Sequence, residues 1–324
     1  MMDGASHINT PFHISKVRLP NRLVQAPMAG ISGRAFRRQA RRFGASLTAT
    51  EMISSYGVNY GNRRTLDMLA LSAGEHPVAV QLFGNSPAVM AAAAAIAEAA
   101  GADIIDINMG CPVRKVVKTG AGAALMEDEK LAAEIVAKVA AAVGAPVTAK
   151  IRSGARSRVT APSLAPRLQE AGATAITVHP RLGDDGRKGR ADHSVTKEIV
   201  DIVDVPVIAS GDIGEPGAAE GLLAAGCSAV MVAQAALGNP WLFSDMLEGR
   251  RSRRRPLGEV LEEMGAFYAD LAEETGAERA GRAMRKFYGW YLRPFQPGAA
   301  LAGSLRLSRG FEEAAAAIRE AFGR

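Results

Sequence analysis

The stretch Asp103-Ile104-Ile105-Asp106-Ile107-Asn108-Met109-Gly110-Cys111-Pro112 joins an apolar run to a Gly-Cys-Pro turn. The run has the length and composition of a parallel strand that is buried on both faces. The turn would leave the Cys111 thiol at the carboxyl end of that strand, where barrels of parallel strands carry their chemistry. The second of the two cysteines, Cys227, opens another apolar run and is expected to be packing. We therefore expect Cys111 to be the functional thiol.

Short apolar runs alternate with helical segments along the chain. The predicted strands are Leu23–Pro27, Leu47–Glu51, Val78–Phe83, Asp103–Asn108, Val147–Ile151, Ala175–His179, Val205–Ala209 and Ala229–Ala233. Segments with helical periodicity lie between them, such as Leu131–Val143 and Ala218–Ala225. Eight strands that alternate with helices over ~250 residues predict a (β/α)8 TIM barrel. A doubly wound open sheet is the alternative, and it is disfavoured because no Gly-x-Gly-x-x-Gly follows the first strand.

The composition changes near Gly249, where an arginine-rich run from Arg250 to Arg255 begins. Residues 250–324 show helical patterns and no convincing strand, and they carry 14 Arg or Lys against 10 Asp or Glu. This surplus of positive charge favours a polyanionic partner. We predict two domains, a catalytic barrel over residues 1–249 and a small C-terminal helical domain over residues 250–324.

Cysteine content and charge narrow the class of protein. Two distant cysteines exclude a disulfide framework, and the absence of a Cys/His cluster gives no zinc motif. The first residues lack the pattern of a signal peptide, and no apolar run is long enough to span a bilayer. A cytoplasmic protein with reduced thiols, no membrane association and no obligate protein partner is expected. The net charge of +6 permits binding to nucleic acid.

Polar, basic and glycine residues follow the predicted strands at one rim. Gln81, Lys150 and His179 would converge there and could hydrogen-bond the edge of a flat heterocycle. Taken singly, Lys150 also fits a solvated strand end and His179 a buried structural histidine. Glycine turns after the seventh and eighth strands suit a phosphate, because their backbone N–H groups can face an anion. Ligand-spaced carboxylates and histidines are lacking, so the pattern favours flavin mononucleotide (FMN) over a metal.

Several motifs together resemble the tRNA-dihydrouridine synthases, in particular the bacterial branch of that family. They stand in the family's order and extend into the tail: Ala26-Pro27-Met28-Ala29-Gly30, Glu51-Met52, Gln81-Leu82-Phe83-Gly84, Ile107-Asn108-Met109-Gly110-Cys111-Pro112, Lys150-Ile151-Arg152, Gly238-Asn239-Pro240-Trp241 and Arg285-Lys286-Phe287-Tyr288-Gly289-Trp290-Tyr291. The Asn-Met-Gly-Cys-Pro block is the most specific of these. The resemblance implies an FMN barrel with a helical tRNA-binding tail that reduces the C5–C6 bond of selected uridines, with NADPH as reductant.

The resemblance also implies roles for individual residues. The flavin would contact Ala26, Pro27, Met28, Gln81, Lys150, His179, Ser210, Gly211, Asp212, Ala233 and Gln234. Asn108, Arg152 and Arg181 would face the uracil or its tRNA, and Arg282, Arg285 and Lys286 would bind tRNA through the tail. Hydride transfer to C6 leaves an anion that Cys111 would protonate at C5, since a thiol with a pKa of ~8.5 keeps its proton at neutral pH. The target base must first leave its stack in the folded RNA.

Two positions depart from the family pattern. Ala233-Gln234 replaces the usual Gly-Arg after the eighth strand, which removes a charge-assisted phosphate contact. His193 stands where an aromatic residue is usual. Two alternatives therefore remain open: a flavin barrel that reduces a free pyrimidine or another small enone, and an RNA-binding homologue with weak or lost flavin binding.

Overall fold

The computed structural model describes residues 7–186 and 188–323. The strands are β1 Phe12–Ile14, β2 Val17–Leu19, β3 Leu23–Gln25, β4 Thr48–Ala49, β5 Ile53–Ser54, β6 Val78–Phe83, β7 Ile104–Met109, β8 Val147–Gly154, β9 Ala175–Leu182, β10 Val207–Ser210 and β11 Ala229–Val232. The helices are α1 Arg34–Arg42, α2 Ser55–Asn59, α3 Arg63–Asp67, α4 Pro87–Ala99, α5 Arg114–Val117, α6 Glu129–Ala142, α7 Ala161–Glu170, α8 His193–Ile202, α9 Pro216–Ala224, α10 Trp241–Leu247, α11 Leu257–Thr275, α12 Ala277–Tyr291, α13 Ala299–Leu307 and α14 Phe311–Phe322.

The parallel strands form a closed barrel. Their order is β3-β11-β10-β9-β8-β7-β6-β4, and the short β5 pairs with the carboxyl end of β6. A parallel bridge between Val24 and Leu47 closes the ring, with the Gln25 N–H donating to the Leu47 carbonyl at 2.9 Å. The predicted (β/α)8 barrel is confirmed, and the open-sheet alternative is wrong because both edges of the sheet are joined.

The strand boundaries differ from the predicted ones at the rim. The second predicted strand is reduced to β4 and the separate β5, while β8 and β9 run on to Gly154 and Leu182. The extension occurs because Arg152 pairs with His179 across these two strands. The seventh strand begins at Val207, two residues later than predicted. These shifts leave the polar rim residues at the carboxyl end of the barrel.

An antiparallel hairpin of β1 and β2, which the sequence pattern did not predict, covers the opposite end of the barrel. Its apolar side chains Phe12, Ile14 and Leu19 are buried in one cluster with Ala79, Ile104, Ala175, Ile208 and Ala229 from the starts of the barrel strands. The amino end of the barrel is therefore filled with packed side chains. The carboxyl end is left as the open mouth.

The tail helices α11 to α14 share a hydrophobic core with the barrel. Phe267, Phe287, Tyr288 and Tyr291 are buried in the same cluster as α1 and α10 of the barrel. The aromatic residues of the tail are thus packing, as expected. Gly238 has a φ of +68°, and a Cβ there would lie 2.3 Å from the backbone of α12. A side chain at this position would therefore push the tail off the barrel.

Candidate active site

A cavity of about 190 Å³ opens at the carboxyl end of the barrel. Its wall is formed by Pro27, Ala29, Met52, Gln81, Asn108, Gly110, Cys111, Pro112, Lys150, Arg152 and His179. This volume is smaller than the ~300–1,000 Å³ typical of pockets for whole ligands. It suits a flat ring whose remaining part extends along the rim. No carboxylate lines it, so the cavity presents hydrogen-bond donors and positive charge.

The Cys111 thiol lies at the edge of this cavity, just after β7. Asn108 Oδ1 holds the turn by accepting from the backbone N–H groups of Gly110 at 3.3 Å and Cys111 at 3.0 Å. The thiol is half-buried, and burial raises its pKa against the opposing effects of a backbone hydrogen bond and of Arg152. The thiol therefore keeps its proton at neutral pH. Gly122 has a φ of +62°, and a Cβ there would lie 2.7 Å from the Cys111 carbonyl oxygen.

A buried carboxylate that sequence reasoning missed lies beneath the cavity. Asp106 accepts from Gln81 Nε2 at 2.6 Å and from Thr148 Oγ1 at 2.7 Å. Gln81 Oε1 in turn accepts from Asn108 Nδ2 at 2.8 Å. Burial raises the pKa of Asp106 to about 6, partly offset by these hydrogen bonds and by the charge of Lys150. A carboxylate inside an otherwise apolar strand is the signal that could have identified it.

The Lys150 ammonium reaches the cavity without a hydrogen-bond partner in the described part of the chain. Burial lowers the pKa of Lys150 to about 8, while the nearby Asp106 carboxylate opposes this effect. A negatively charged ligand would stabilise the charged form of this buried ammonium. Lys150 is thus the strongest anion-attracting group of the cavity.

His179 is neutral and has a defined tautomer. Its Nε2 lies 3.1 Å from Arg181 Nη1, which can only donate, so Nε2 accepts and the proton sits on Nδ1. Burial, together with the charges of Lys150, Arg152 and Arg181, lowers the pKa of His179 to about 3. His179 therefore offers an N–H donor and cannot act as an acid at neutral pH.

Arg181 and Asp212 form a bidentate ion pair on the same side of the barrel. Arg181 Nη2 lies 2.6 Å and 2.8 Å from the two carboxylate oxygens of Asp212, and it also donates to the Gly189 carbonyl at 2.9 Å. Arg181 was predicted to face substrate, but the structure commits its guanidinium to these partners. The Asp212 carboxylate also accepts from the Ala191 N–H at 2.7 Å. The charge of the Asp212 carboxylate is therefore compensated by Arg181, beside the Gly211 turn that was predicted to hold phosphate.

The two predicted phosphate turns lie side by side. Ser210 ends β10, and Gly211 has a φ of +112° with its ideal Cβ position 2.9 Å from the His179 ring. The loop after β10 touches the loop after β11, since a Cβ on Gly214 would lie 3.5 Å from that of Ala235. Ala233 is half-buried and Gln234 is exposed.

His193 occupies the position where the family usually has an aromatic residue. Its Nε2 lies 3.0 Å from the Gly211 carbonyl and its Nδ1 lies 3.2 Å from Thr196 Oγ1. A carbonyl only accepts, so Nε2 carries the proton. His193 thereby fixes the first phosphate turn through a hydrogen bond.

The other predicted flavin contacts lie at the end of β3. Ala26 is buried and its N–H donates to the Val232 carbonyl at 2.9 Å, whereas Pro27 lines the cavity. The Met28 N–H donates to Ser32 Oγ at 2.9 Å, and its side chain packs towards the tail core. The segment from Ala26 to Met28 therefore connects the barrel wall with the hydrophobic core that the tail helices share.

Arg152 is buried beside the Cys111 turn and connects three loops of the rim. Its guanidinium donates to the carbonyls of Gly110 at 2.7 Å, Leu182 at 3.0 Å and Gly186 at 3.0 Å. Since Arg152 also lines the cavity, it combines a structural role with a positive charge facing the ligand.

The tail residues predicted to bind tRNA differ in their surroundings. Lys286 is exposed and donates to the Gly30 carbonyl at the barrel mouth. Arg282, one helical turn away, is exposed and pairs with Glu278. Arg285 is half-buried and donates to the Ser308 carbonyl at 3.0 Å. Lys286 and Arg282 therefore share the face of α12 that reaches the mouth.

Several arginines of the run after Gly249 contact side chains of the protein. Arg255 is half-buried and its Nη2 lies 2.6 Å from Asp245 Oδ1, and Arg250 pairs with Glu248. Arg254 stacks on the Phe295 ring at 4.4 Å. Arg254 and Arg255 therefore help to hold the start of the tail in place.

Residues 7–186 and 188–323 contain neither a metal-binding cluster nor a membrane-spanning helix. In this part of the chain, no three His, Cys, Asp or Glu side chains lie close enough together to hold a metal ion. None of its helices combines the length and apolar character needed to cross a bilayer.

The sequence matches a known family over most of its length. The model of the dihydrouridine synthase family covers residues 24–323. The chain belongs to this family. It is 36% identical over 292 residues to tRNA-dihydrouridine synthase B of Pseudomonas aeruginosa, covering 88% of each protein. It is 37% identical over 307 residues to a probable tRNA-dihydrouridine synthase of Rhizobium leguminosarum bv. phaseoli, covering 93% of this chain and 95% of the relative.

Solved structures agree with the fold of this dihydrouridine synthase. Morphinone reductase superposes with a TM-score of 0.56 at 15% identity, covering 82% of this chain and 94% of that one. Histamine dehydrogenase from Rhizobium sp. 4-9 gives a TM-score of 0.62 at 14% identity, covering 76% of this chain and 48% of that one. At these identities the likeness concerns the fold alone. Family membership makes the chain a flavin-dependent oxidoreductase that forms dihydrouridine in tRNA.

Proposed function

We propose that the chain reduces a tRNA uridine with FMN as its flavin and NADPH as reductant, and that Cys111 is the proton donor. The observation that carries this proposal is the cavity itself. A protonated thiol, the Lys150 ammonium and several amide donors lie around a space suited to flat rings.

The donor set of the cavity fits FMN. The flavin's pyrimidine edge carries carbonyl oxygens, for which Gln81, Lys150 and the neutral His179 supply donors. The adjoining turns at Gly211 and Ala233 would take the phosphate through backbone N–H groups. Arg181 supports this fit because its ion pair compensates the charge of Asp212, which follows Gly211 in the chain. FMN would supply the hydride for C6 of the uracil.

Cys111 and Asn108 would act on the uracil. The raised pKa of the Cys111 thiol keeps the proton on Sγ until C5 of the substrate accepts it. Asn108 lines the cavity and holds the Cys111 turn, so it would orient substrate and acid together. The thiolate formed would be reprotonated from solvent.

The tail, residues 250–324, would bind tRNA beside the mouth. Lys286 contacts the mouth directly, and Arg282 lies next to it on the same helix face. Phosphate contacts by such residues give an affinity that falls with salt. The cavity is too small for a folded RNA, so the uridine must be turned out of its stack to enter.

The test is reconstitution with defined substrates. The purified protein is loaded with FMN, reduced with NADPH and mixed with unmodified tRNA transcript or with free uridine. Dihydrouridine is measured by mass spectrometry of the digested RNA. We expect product from tRNA and none from free uridine. Product from free uridine alone would support the small-molecule alternative, and tRNA binding without any FMN uptake would support a flavin-free RNA-binding protein.

A further inference from the structure

A chain of buried side chains runs beneath the cavity and ends at the Cys111 turn. Thr148 Oγ1 donates to one oxygen of Asp106 and Gln81 Nε2 to the other, at 2.7 Å and 2.6 Å. Asn108 Nδ2 donates to Gln81 Oε1 at 2.8 Å, and Asn108 Oδ1 accepts from the Cys111 N–H at 3.0 Å. All four polar side chains are at most 7% exposed, so each bond is shielded from water.

The two ends of this chain fix the direction of every bond in it. An ionised carboxylate only accepts, so Asp106 requires the amide nitrogen of Gln81. A backbone N–H only donates, so Cys111 requires the amide oxygen of Asn108. These two requirements leave the Gln81 amide oxygen facing the Asn108 amide nitrogen, so Gln81 accepts and Asn108 donates in the bond between them. The chain therefore has a single polarity.

This polarity decides what the cavity offers to a ligand. Each amide nitrogen has two hydrogens, and the chain uses one of them. The second N–H of Gln81 and of Asn108 is left over, and both residues line the cavity. Donors of this kind match the carbonyl oxygens that a flavin and a uracil both carry.

We infer that Asp106 is a positioning residue, which orients the amides of Gln81 and Asn108 so that the cavity presents N–H donors and the Cys111 turn is held. The identity of the ligands rests on the proposed function, whereas the polarity of the chain does not. Asp106 itself does not line the cavity and acts through its neighbours.

The test is a double-mutant cycle on the apoprotein, read by its melting temperature. In Asp106→Asn the new amide can accept from Gln81 and donate to Thr148, so the melting temperature should change little. In Asn108→Asp the new carboxylate faces Gln81 Oε1, and two acceptor oxygens cannot form a hydrogen bond. If the Gln81 amide turns over, its oxygen faces the Asp106 carboxylate instead, which again places two acceptors together. The melting temperature should fall by roughly 3–10 °C, because a buried polar group loses its partner.

The double variant Asp106→Asn/Asn108→Asp reverses the two hydrogen bonds of Gln81, while the Cys111 N–H still donates to position 108. The new amide at position 106 can donate to Gln81 Oε1, and Gln81 can donate to the new carboxylate at position 108. We expect it to regain most of the melting temperature that Asn108→Asp loses. Its uridine reduction should stay at least ~10-fold below that of the parent, since position 108 no longer has an N–H for the substrate. Asn85→Asp is the matched control, because Tyr56 donates to Asn85 Oδ1 outside the chain.

The outcomes separate the inference from the proposed function. Additive losses of melting temperature, or a double variant less stable than Asn108→Asp, would overturn the polarity of the chain. If Asn108→Asp fails to fold while the double variant folds, the inference holds. A double variant that recovers the parent's reduction rate would overturn the positioning role. If the unmodified protein does not reduce tRNA but the melting temperatures of the variants are non-additive, the proposed function is overturned. The polarity of the hydrogen-bonded chain is still supported in that case.

Discussion

Replacing Lys150 by Met is expected to weaken FMN binding by roughly 10–100-fold. The ammonium faces the cavity without a hydrogen-bond partner in the described residues. Burial lowers its pKa from 10.5 to about 8, a difference that corresponds to about 3 kcal/mol. Negative charge on a ligand can recover part of this free energy, and Met fills similar space without the charge.

The assay for this prediction is a titration of apoprotein with FMN, followed by quenching of flavin fluorescence at neutral pH. Lys138→Met is the matched control, because Lys138 is an exposed lysine on the outer helix α6. The control should bind FMN as the parent does. An unchanged FMN affinity in Lys150→Met would refute the reasoning, since the ammonium would then not face the bound flavin.

Four further predictions concern proton transfer, phosphate binding and RNA binding. The FMN affinity of the apoprotein should fall as the pH rises through about 8, where Lys150 loses its charge; a flat profile across that range would contradict this. Cys111→Ala should lose ~10²–10⁴-fold in uridine reduction while NADPH still bleaches the flavin, because only protonation is removed; tRNA reduction at the parental rate would exclude Cys111 as the acid. Gln234→Arg should tighten FMN in the same titration by adding a charged phosphate contact, and no gain would mean that the phosphate lies elsewhere. Arg282→Glu should weaken tRNA binding across a salt series and leave flavin reduction intact, whereas Lys197→Glu, which breaks an equivalent exposed pair on α8, should not.

Local patterns in the sequence were sufficient to predict the barrel. Each strand is a short apolar run, and its identity does not depend on distant residues. The hairpin of β1 and β2 was not predicted because each of its strands has only three residues, which is too short for a clear alternation of apolar and polar side chains. The roles of the site residues stay predictions, although the structure brings Gln81, Lys150 and Cys111 to one cavity.

Features that depend on long-range packing could not be predicted in this way. The sequence shows Asp106 as one polar residue in an apolar run, and its partner Thr148 is 42 positions away. The arginines after Gly249 look alike in sequence, yet Arg255 is half-buried and paired with Asp245 while Arg253 is exposed. Whether an arginine pairs with a carboxylate of the protein or faces solvent depends on where the tail packs against the barrel.

The positive character of the cavity arises from Lys150 and Arg152, and the two nearby carboxylates, Asp106 and Asp212, do not line it. Asp106 lies behind Gln81, and Asp212 is paired with Arg181, so neither negative charge reaches a ligand directly. Among residues 7–186 and 188–323, the ammonium of Lys150 has no hydrogen-bond partner, and Lys150 lines the cavity. A phosphate beside Gly211 would then meet backbone N–H groups and a neutralised carboxylate. We therefore expect flavin affinity to depend chiefly on Lys150, since the arginine that the family usually places at position 234 is absent.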